Sequence, residues 1–283
     1  MEKRNWRRNW HEHALGMVAP LLTIALWQWV ASAGMVNPQV LPAPLDVGRK
    51  WVEYLLPLQR FEEQAGASWW SWARLSWLFS GELVVDTLTS LYRVVVGFAI
   101  GAGLALPLGL AMGASRLVYA WMNPLVQILR PIPPIAYIPL AILWFGLGNP
   151  PAVFLIALGA FFPVLMNTIA GVRQVDGIYL RAARSLGAGR ATMFLRVILP
   201  AAVPYILSGV RIGIGTAFIV VIVSEMIAVN NGLGFRILEA REYFWSDKII
   251  AGMITIGLLG LAIGIGVNRL NTYLLRWHRG LEH

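Results

Sequence analysis

"LRAARSLGAGRATMFLRVILP", Leu180 to Pro200, carries four arginines, Arg181, Arg184, Arg190 and Arg196, and no acidic residue. It sits between two long apolar runs, and its reading decides what those runs are. Composition supplies the first step: of 283 residues 58% are hydrophobic and 13% charged, against about half and about a quarter in an ordinary soluble domain. That balance belongs to a membrane protein. Each crossing of a ~30 Å hydrocarbon core takes ~20 helical residues, so the length suits one all-α, polytopic bundle of about six transmembrane helices.

Working outward from the quoted segment, apolar runs place spans near Gly16–Gly34, Thr87–Ala114, Leu117–Leu147, Pro151–Val172, Leu199–Val229 and Ile249–Leu270. The third and fifth runs are long and punctuated by Pro131, Pro133, Pro134 and Pro139, and by Pro204, which predicts broken or tilted helices there. The expected organisation is a tail over 1–15 and a single membrane domain over 16–283, with an outer loop at 35–86 and cytoplasmic helices within 173–198. An alternative reading of the first run as a signal peptide is disfavoured, because Trp27, Gln28 and Trp29 interrupt it and no cleavage pattern follows.

Charge orients the spans. With the N-terminus inside, the cytoplasmic pieces hold thirteen bases (Lys3, Arg4, Arg7, Arg8, Arg116, Arg173, Arg181, Arg184, Arg190, Arg196, Arg269, Arg276, Arg279) against Glu2, Glu12, Asp176 and Glu282. The other face holds Arg49, Lys50, Arg60, Arg74, Arg236, Arg241 and Lys248 against nine acids (Asp46, Glu53, Glu62, Glu63, Glu82, Asp86, Glu239, Glu242, Asp247). Basic loops resist translocation, so both termini and the quoted segment are expected in the cytoplasm. The net charge of +9 is a property of this asymmetry, and no nucleic-acid partner is expected.

Within the segment, Asp176 is placed to cap a helix that continues through Tyr179, Leu180, Ala182, Ala183 and Leu186 and stops at Gly187. A second helix runs from about Arg190 into Ile198, and Pro200 suits the first turn of the following span. Ala182 and Ala183 leave almost no side chain, which lets this helix lie deep in a groove of another protein.

The stretch resembles the EAA loop of ATP-binding-cassette importer permeases, in which Glu-Ala-Ala is followed by glycine and then by Ile-x-Leu-Pro at fixed spacing. Ala182, Ala183, Gly187, Val197, Leu199 and Pro200 fall on that pattern, while Arg181 stands where glutamate is usual. "LPAPLDV" (Leu41–Val47), "RPIPPIAYIPLAILWFGLG" (Arg130–Gly148) and "GVRIGIGTAFIVVIVSEMIA" (Gly209–Ala228) are similar to stretches of permeases for taurine, alkanesulfonates, nitrate and bicarbonate. The resemblance implies a type I ABC importer transmembrane domain fold in a bacterial inner membrane. It further implies a homodimer with a second copy, two cytoplasmic ATP-binding subunits that hold ATP and Mg, and an extracytoplasmic solute-binding protein. Arg181, Ala182, Ala183, Gly187, Leu199 and Pro200 would couple to the ATPase. The arginine at the first motif position points to a sulfonate such as taurine, with nitrate, bicarbonate or a pyrimidine precursor as the alternative.

Omissions agree with that reading. The chain has no G-x-x-x-x-G-K-[ST] phosphate loop, so ATP hydrolysis falls to a partner and no cofactor is expected in this chain. With no cysteine, and with His11 and His13 outside zinc-protease spacing, neither a catalytic nor a metal constellation is expected. A secondary transporter or channel working without ATP is the rival class, since broken helices carrying intramembrane charges suit it too.

Charges within spans are costly and normally face the bundle interior. Arg93, Arg130, Arg211 and Glu225, with Tyr137, Trp144 and Ser224, are expected either to line a passage for a small anion or to pair between helices. For Arg93, near the outer end of its span, snorkelling is the simplest account. Arg211 and Glu225, fourteen residues or roughly 21 Å apart on a straight helix, cannot pair with each other. Gly97/Gly101, Gly109/Gly113, Gly209/Gly213 and Gly260/Gly264 predict close helix packing. The Trp-rich "SWWSWARLSW" (Ser68–Trp77) reads as an interfacial helix, and the final Leu-Glu-His is assigned no role.

Overall fold

The structure, a computed structural model, describes residues 3–56 and 81–275, with side chains from residue 18 onward. The Trp-rich stretch, the final Leu-Glu-His and the side chains of His11 and His13 fall outside that description. Ten helices make up the described chain: α1 (Lys3–Ser32), α2 (Pro44–Leu55), α3 (Glu82–Ala114), α4 (Arg116–Leu129), α5 (Ile138–Phe145), α6 (Asn149–Arg173), α7 (Gly177–Ser185), α8 (Arg190–Ala228), α9 (Leu233–Glu242) and α10 (Ser246–Leu274).

Four of them, α3, α6, α8 and α10, are each long and apolar enough to cross a membrane. The third run is broken into two helices, as its prolines predict. α4 and the stretch Pro134–Phe145 meet at 83°, because Pro131, Pro133 and Pro134 remove donors and Pro133, ahead of Pro134, is extended (φ -66, ψ 143) where the helix would continue. Counted as one broken span, the pair brings the total to five. The first expected run, Gly16–Gly34, corresponds to the short apolar part of α1, Val18–Ser32. A break expected at Pro204 does not occur, since α8 runs through it while packed along α6.

The described residues of the chain form two compact units. One comprises 1–85 and 236–255 and holds α1, α2 and the start of α10. Here Trp51 Nε1 donates to Thr255 Oγ1 at 2.9 Å, and the Leu45 amide donates to Gln28 Oε1 at 3.4 Å.

The other unit comprises 86–235 and 256–283, and its core is α6 packed between α3 and α8. Along α3 the small residues form one seam. A Cβ on Gly97 would lie 2.6 Å from Ile156 Cγ2, on Gly101 2.2 Å from the Ala157 carbonyl oxygen, on Gly109 2.7 Å from Thr168 Cβ and on Gly113 2.5 Å from Val172 Cβ. Ala105, fully buried, continues the same row. Gly209 and Gly213 do this for α8, against Asn167 and Val164. The fourth expected pair is half used: Gly260 packs on Phe218, while Gly264 meets nothing within 4 Å. Val94, Leu155, Ile156, Ala160, Ala217 and Val221 fill one end of this core, and Ala105, Met112, Val164 and Leu165 the other.

Pro163 inside α6 cannot donate to the Gly159 carbonyl four residues earlier. Thr216 of α8 places its hydroxyl 2.9 Å from that oxygen, so a neighbouring helix satisfies the group that proline leaves bare.

Candidate functional sites

Two arrangements carry chemistry. The first is the elbow between α6 and α8. Asp176 caps α7 by accepting the Ile178 amide at 2.9 Å. At the other end the Gly187 amide donates to Arg184 O at 2.9 Å and the Ala188 amide to Ala183 O at 3.0 Å, the pair of bonds of a Schellman motif. Gly187 is left-handed, φ +78, which glycine alone adopts without strain.

Beyond this turn runs one continuous 39-residue helix, α8. Its Phe194–Ile198 portion is π-helical, with the Leu199 amide bonded to Phe194 O five residues back. The widened turn has a local cause: in an α-helix the Pro200 ring would clash with the Arg196 carbonyl, and an expanded turn relieves that. The second of the two helices expected here is therefore joined into the span itself, while α7 stays separate. Arg181, Ala182, Arg184, Arg190 and Arg196 are exposed, Ala183 and Leu199 half-buried, and Pro200 exposed. Ile178, Tyr179 and Leu186 add a large exposed apolar surface, with Leu186 at 88% exposure. Beside the elbow, the Arg173 guanidinium lies 3.4 Å from the Tyr119 ring centroid and fixes the end of α6 to α4.

The second arrangement is a buried ion pair. Arg93 of α3 is 1% exposed and Glu225 of α8 is 0% exposed, so Arg93 does not snorkel. Its Nη1 donates to Glu225 Oε1 at 2.6 Å and to the Asn231 carbonyl at 3.0 Å, its Nε to Asn149 Oδ1 at 2.8 Å, and its Nη2 to Asn231 Oδ1. Glu225 Oε2 accepts from Ser90 Oγ at 2.8 Å and from the Gly234 amide at 3.0 Å. Ser90 Oγ in turn accepts the Leu233 amide at 3.0 Å, and Asp86 accepts that of Gly232 at 2.9 Å. Charges out of water are tolerated when their bonding groups are satisfied in this manner.

Gly232 closes the arrangement. At φ +103, a Cβ there would lie 2.5 Å from Glu225 Oε1 and 2.6 Å from Arg93 Nη1. The network ties α3, α8, the start of α6 and the 229–234 connection together.

The remaining expected pathway residues do not gather here. Ser224 is buried and its hydroxyl donates to Val221 O of its own helix at 2.9 Å. Arg130 is exposed at the end of α4, and Tyr137 is half-buried against the core. Trp144 is exposed, with its ring edge to Phe154 at 6.0 Å, and Arg211 is exposed on α8. Ser90, Asn149, Asn231, Gly232 and Gly234 were not expected. The signal available for the last three is "NNGLG" (Asn230–Gly234), whose asparagines and glycines directly follow a span carrying an acid.

Comparison with known proteins gives this geometry a family. A model of the binding-protein-dependent transport system inner membrane component family matches residues 103–280. The chain is 35% identical over 265 residues to the taurine transport system permease protein TauC of Escherichia coli (strain K12), covering 94% of this chain and 89% of that protein. It is 35% identical over 267 residues to the putative aliphatic sulfonates transport permease protein SsuC of Bacillus subtilis (strain 168), with coverage of 94% and 88%. It is 33% identical over 275 residues to the bicarbonate transport system permease protein CmpB of Synechococcus elongatus, with coverage of 95% and 92%. Among solved structures, the inward-facing MetNI methionine ABC transporter superposes with a TM-score of 0.61 at 18% identity, over 69% of this chain and 97% of that one.

Proposed function

Because the chain belongs to the binding-protein-dependent transport system inner membrane component family, we propose that it is the permease subunit of an ATP-driven importer for a small anion, with a sulfonate such as taurine as the cargo. The observation that carries this is the elbow: a capped, small-faced helix with apolar and arginine side chains exposed, continuous with a 39-residue span. Such a helix exposes more apolar surface than a solvated loop needs, and a groove on an ATP-binding subunit would cover it.

In this reading the chain pairs with a second copy, both termini and the elbow face the cytoplasm, and a solute-binding protein delivers cargo from the other side. ATP and Mg are held by the partner subunits. When those subunits close, α7 of each copy moves with them, and α8 carries the movement through the bilayer as a rod. Ala182 and Ala183 allow the close approach, Gly187, Leu199 and Pro200 set the stiff turn, and Arg181 supplies a cation where the family usually has an anion. Arg130 and Arg211, both exposed, are the intramembrane cations open to a passing anion, with Tyr137 and Trp144 beside that route. Alternation between inward and outward states requires contacts that differ between them, which the ATP-bound and ATP-free partners supply.

The test is uptake of labelled taurine into vesicles holding the purified complex. ATP-dependent, vanadate-sensitive uptake in the presence of the binding protein supports the reading. Uptake by the chain without ATP would assign it to secondary transporters or channels, and transport of bicarbonate but not taurine would move the cargo to the alternative class.

A further inference from the structure

The turn between α9 and α10 departs from the rule that the elbow obeys. The two Schellman bonds of Gly187 recur there, with the Phe244 amide donating to Arg241 O at 3.2 Å and the Trp245 amide to Ala240 O at 2.8 Å. The left-handed position, however, is occupied by Phe244 at φ +56, the one non-glycine residue with positive φ among the described residues. A phenylalanine in that conformation crowds its Cβ against the carbonyl, and glycine is the ordinary solution. Packing does not compensate, because Phe244 is 81% exposed.

Position identifies what covers the ring. α10 begins at Ser246, two residues on, and Met253 and Ile254 on its first turns are exposed apolar side chains. Tyr243 and Trp245 flank Phe244 and stack with ring centroids 4.7 Å apart. Lys248 Nζ lies 4.0 Å from the Trp245 centroid and 4.7 Å from that of Tyr54. Tyrosine, tryptophan and a lysine at the mouth of an apolar span are the composition of a membrane–water boundary, where rings sit at headgroup depth and an ammonium meets phosphate. The exposed aromatic triplet leads into a span whose exposed side chains Met253 and Ile254 are apolar. Apolar exposure both before and within the start of α10 favours lipid over a soluble partner.

We infer that Tyr243, Phe244 and Trp245 form a membrane anchor, with the Phe244 ring inserted at the headgroup–acyl boundary so that it fixes the depth of α10. The strained backbone is retained because glycine would remove the inserted group. This anchor stands apart from the choice of cargo.

The chain has no cysteine, so single thiols report on one site each. The full chain carrying Phe244→Cys or Glu242→Cys is reconstituted in phosphatidylethanolamine–phosphatidylglycerol vesicles and labelled with a membrane-impermeant maleimide. Phe244→Cys, kept at the boundary by Tyr243 and Trp245 on either side, is expected to react roughly tenfold more slowly than Glu242→Cys, because a thiol in apolar surroundings forms less of the reactive thiolate. In a second pair, Tyr243→Cys is labelled with phenylalanine or with Phe244→Gly beside it. The glycine suits the turn and preserves folding, and it should speed labelling at 243 severalfold. Equal rates at 242 and 244, or protection at 244 that arises only when the solute-binding protein is added, would overturn the anchor, the second result assigning the turn to protein docking. An unchanged rate at 243 beside Phe244→Gly would also overturn it.

Discussion

The seam between α3 and α6 allows a sharp test, because two glycines two residues apart on one helix face opposite environments. A Cβ on Gly101 would lie 2.2 Å from the Ala157 carbonyl oxygen and 3.0 Å from its carbonyl carbon and Cα, all backbone atoms that no rotamer change can move aside. A Cβ on Gly103 would meet nothing within 4 Å. Both Gly→Ala changes raise helix propensity by about 1 kcal/mol. To regain ordinary contact at Gly101, the helices must part locally by about 1 Å, which forfeits a quarter to a half of the dispersion energy of neighbouring contacts. Those contacts include Ala102, Ala105, Val164 and Leu165, all buried. Overpacking of this kind costs about 1–3 kcal/mol. Because the propensity gain is common to both variants, Gly101→Ala should lie about 1–3 kcal/mol below Gly103→Ala, roughly 2–12 °C in apparent Tm. Intrinsic tryptophan fluorescence during heating in detergent reads this difference. Coincident melting of the two variants would refute the packing argument.

The ion pair and the elbow each make further outcomes measurable. Arg93→Ala strands the Glu225 carboxylate in the core and should cost about 3–5 kcal/mol, whereas the double variant Arg93→Met/Glu225→Met should be less damaging than either single Met change; thermal midpoints of the four proteins check the coupling. Gly232→Ala should destabilise more than Gly187→Ala, because the former adds a clash with the ion pair to left-handed strain and the latter carries only the ~1–2 kcal/mol of strain, which the same melts would show. Ala183→Glu should leave folding intact, since the residue is only half-buried at the elbow, but abolish co-purification of the ATP-binding subunit and ATP-driven uptake. Undiminished coupling in that variant would count against docking at this helix.

The features legible in the sequence are local or periodic. Asp176 and Gly187 announce the limits of α7 because a cap and a left-handed stop are chemical properties of single residues, and the glycine pairs announce close packing because their spacing repeats on one helix face. The number of crossings is less legible: the prolines within 117–147 announce a break but not its 83° angle. Pro204 misleads in the opposite direction, because a proline signals a lost bond and not whether neighbouring helices hold the backbone straight. The ion pair is the hardest to see. Arg93 and Glu225 are 132 residues apart, and each alone reads as a pathway charge or as half of an interhelical pair whose partner is unnamed, with snorkelling a further account of Arg93. Only the fold brings them to the same depth, where the 229–234 connection closes on them.

Transport on ATP rests, in this mechanism, on an ATP-binding subunit that docks on the α7 elbow and drives the bundle through α8. A photoreactive benzoylphenylalanine replacing Leu186, the 88%-exposed apolar residue beside Gly187, tests contact directly in membranes containing the whole complex. Irradiation should join this chain to the ATP-binding subunit, while the same group replacing Leu258, exposed on α10, should not. If Leu186 yields no such adduct in membranes that transport solute on ATP, the elbow is not the point of contact and the mechanism fails.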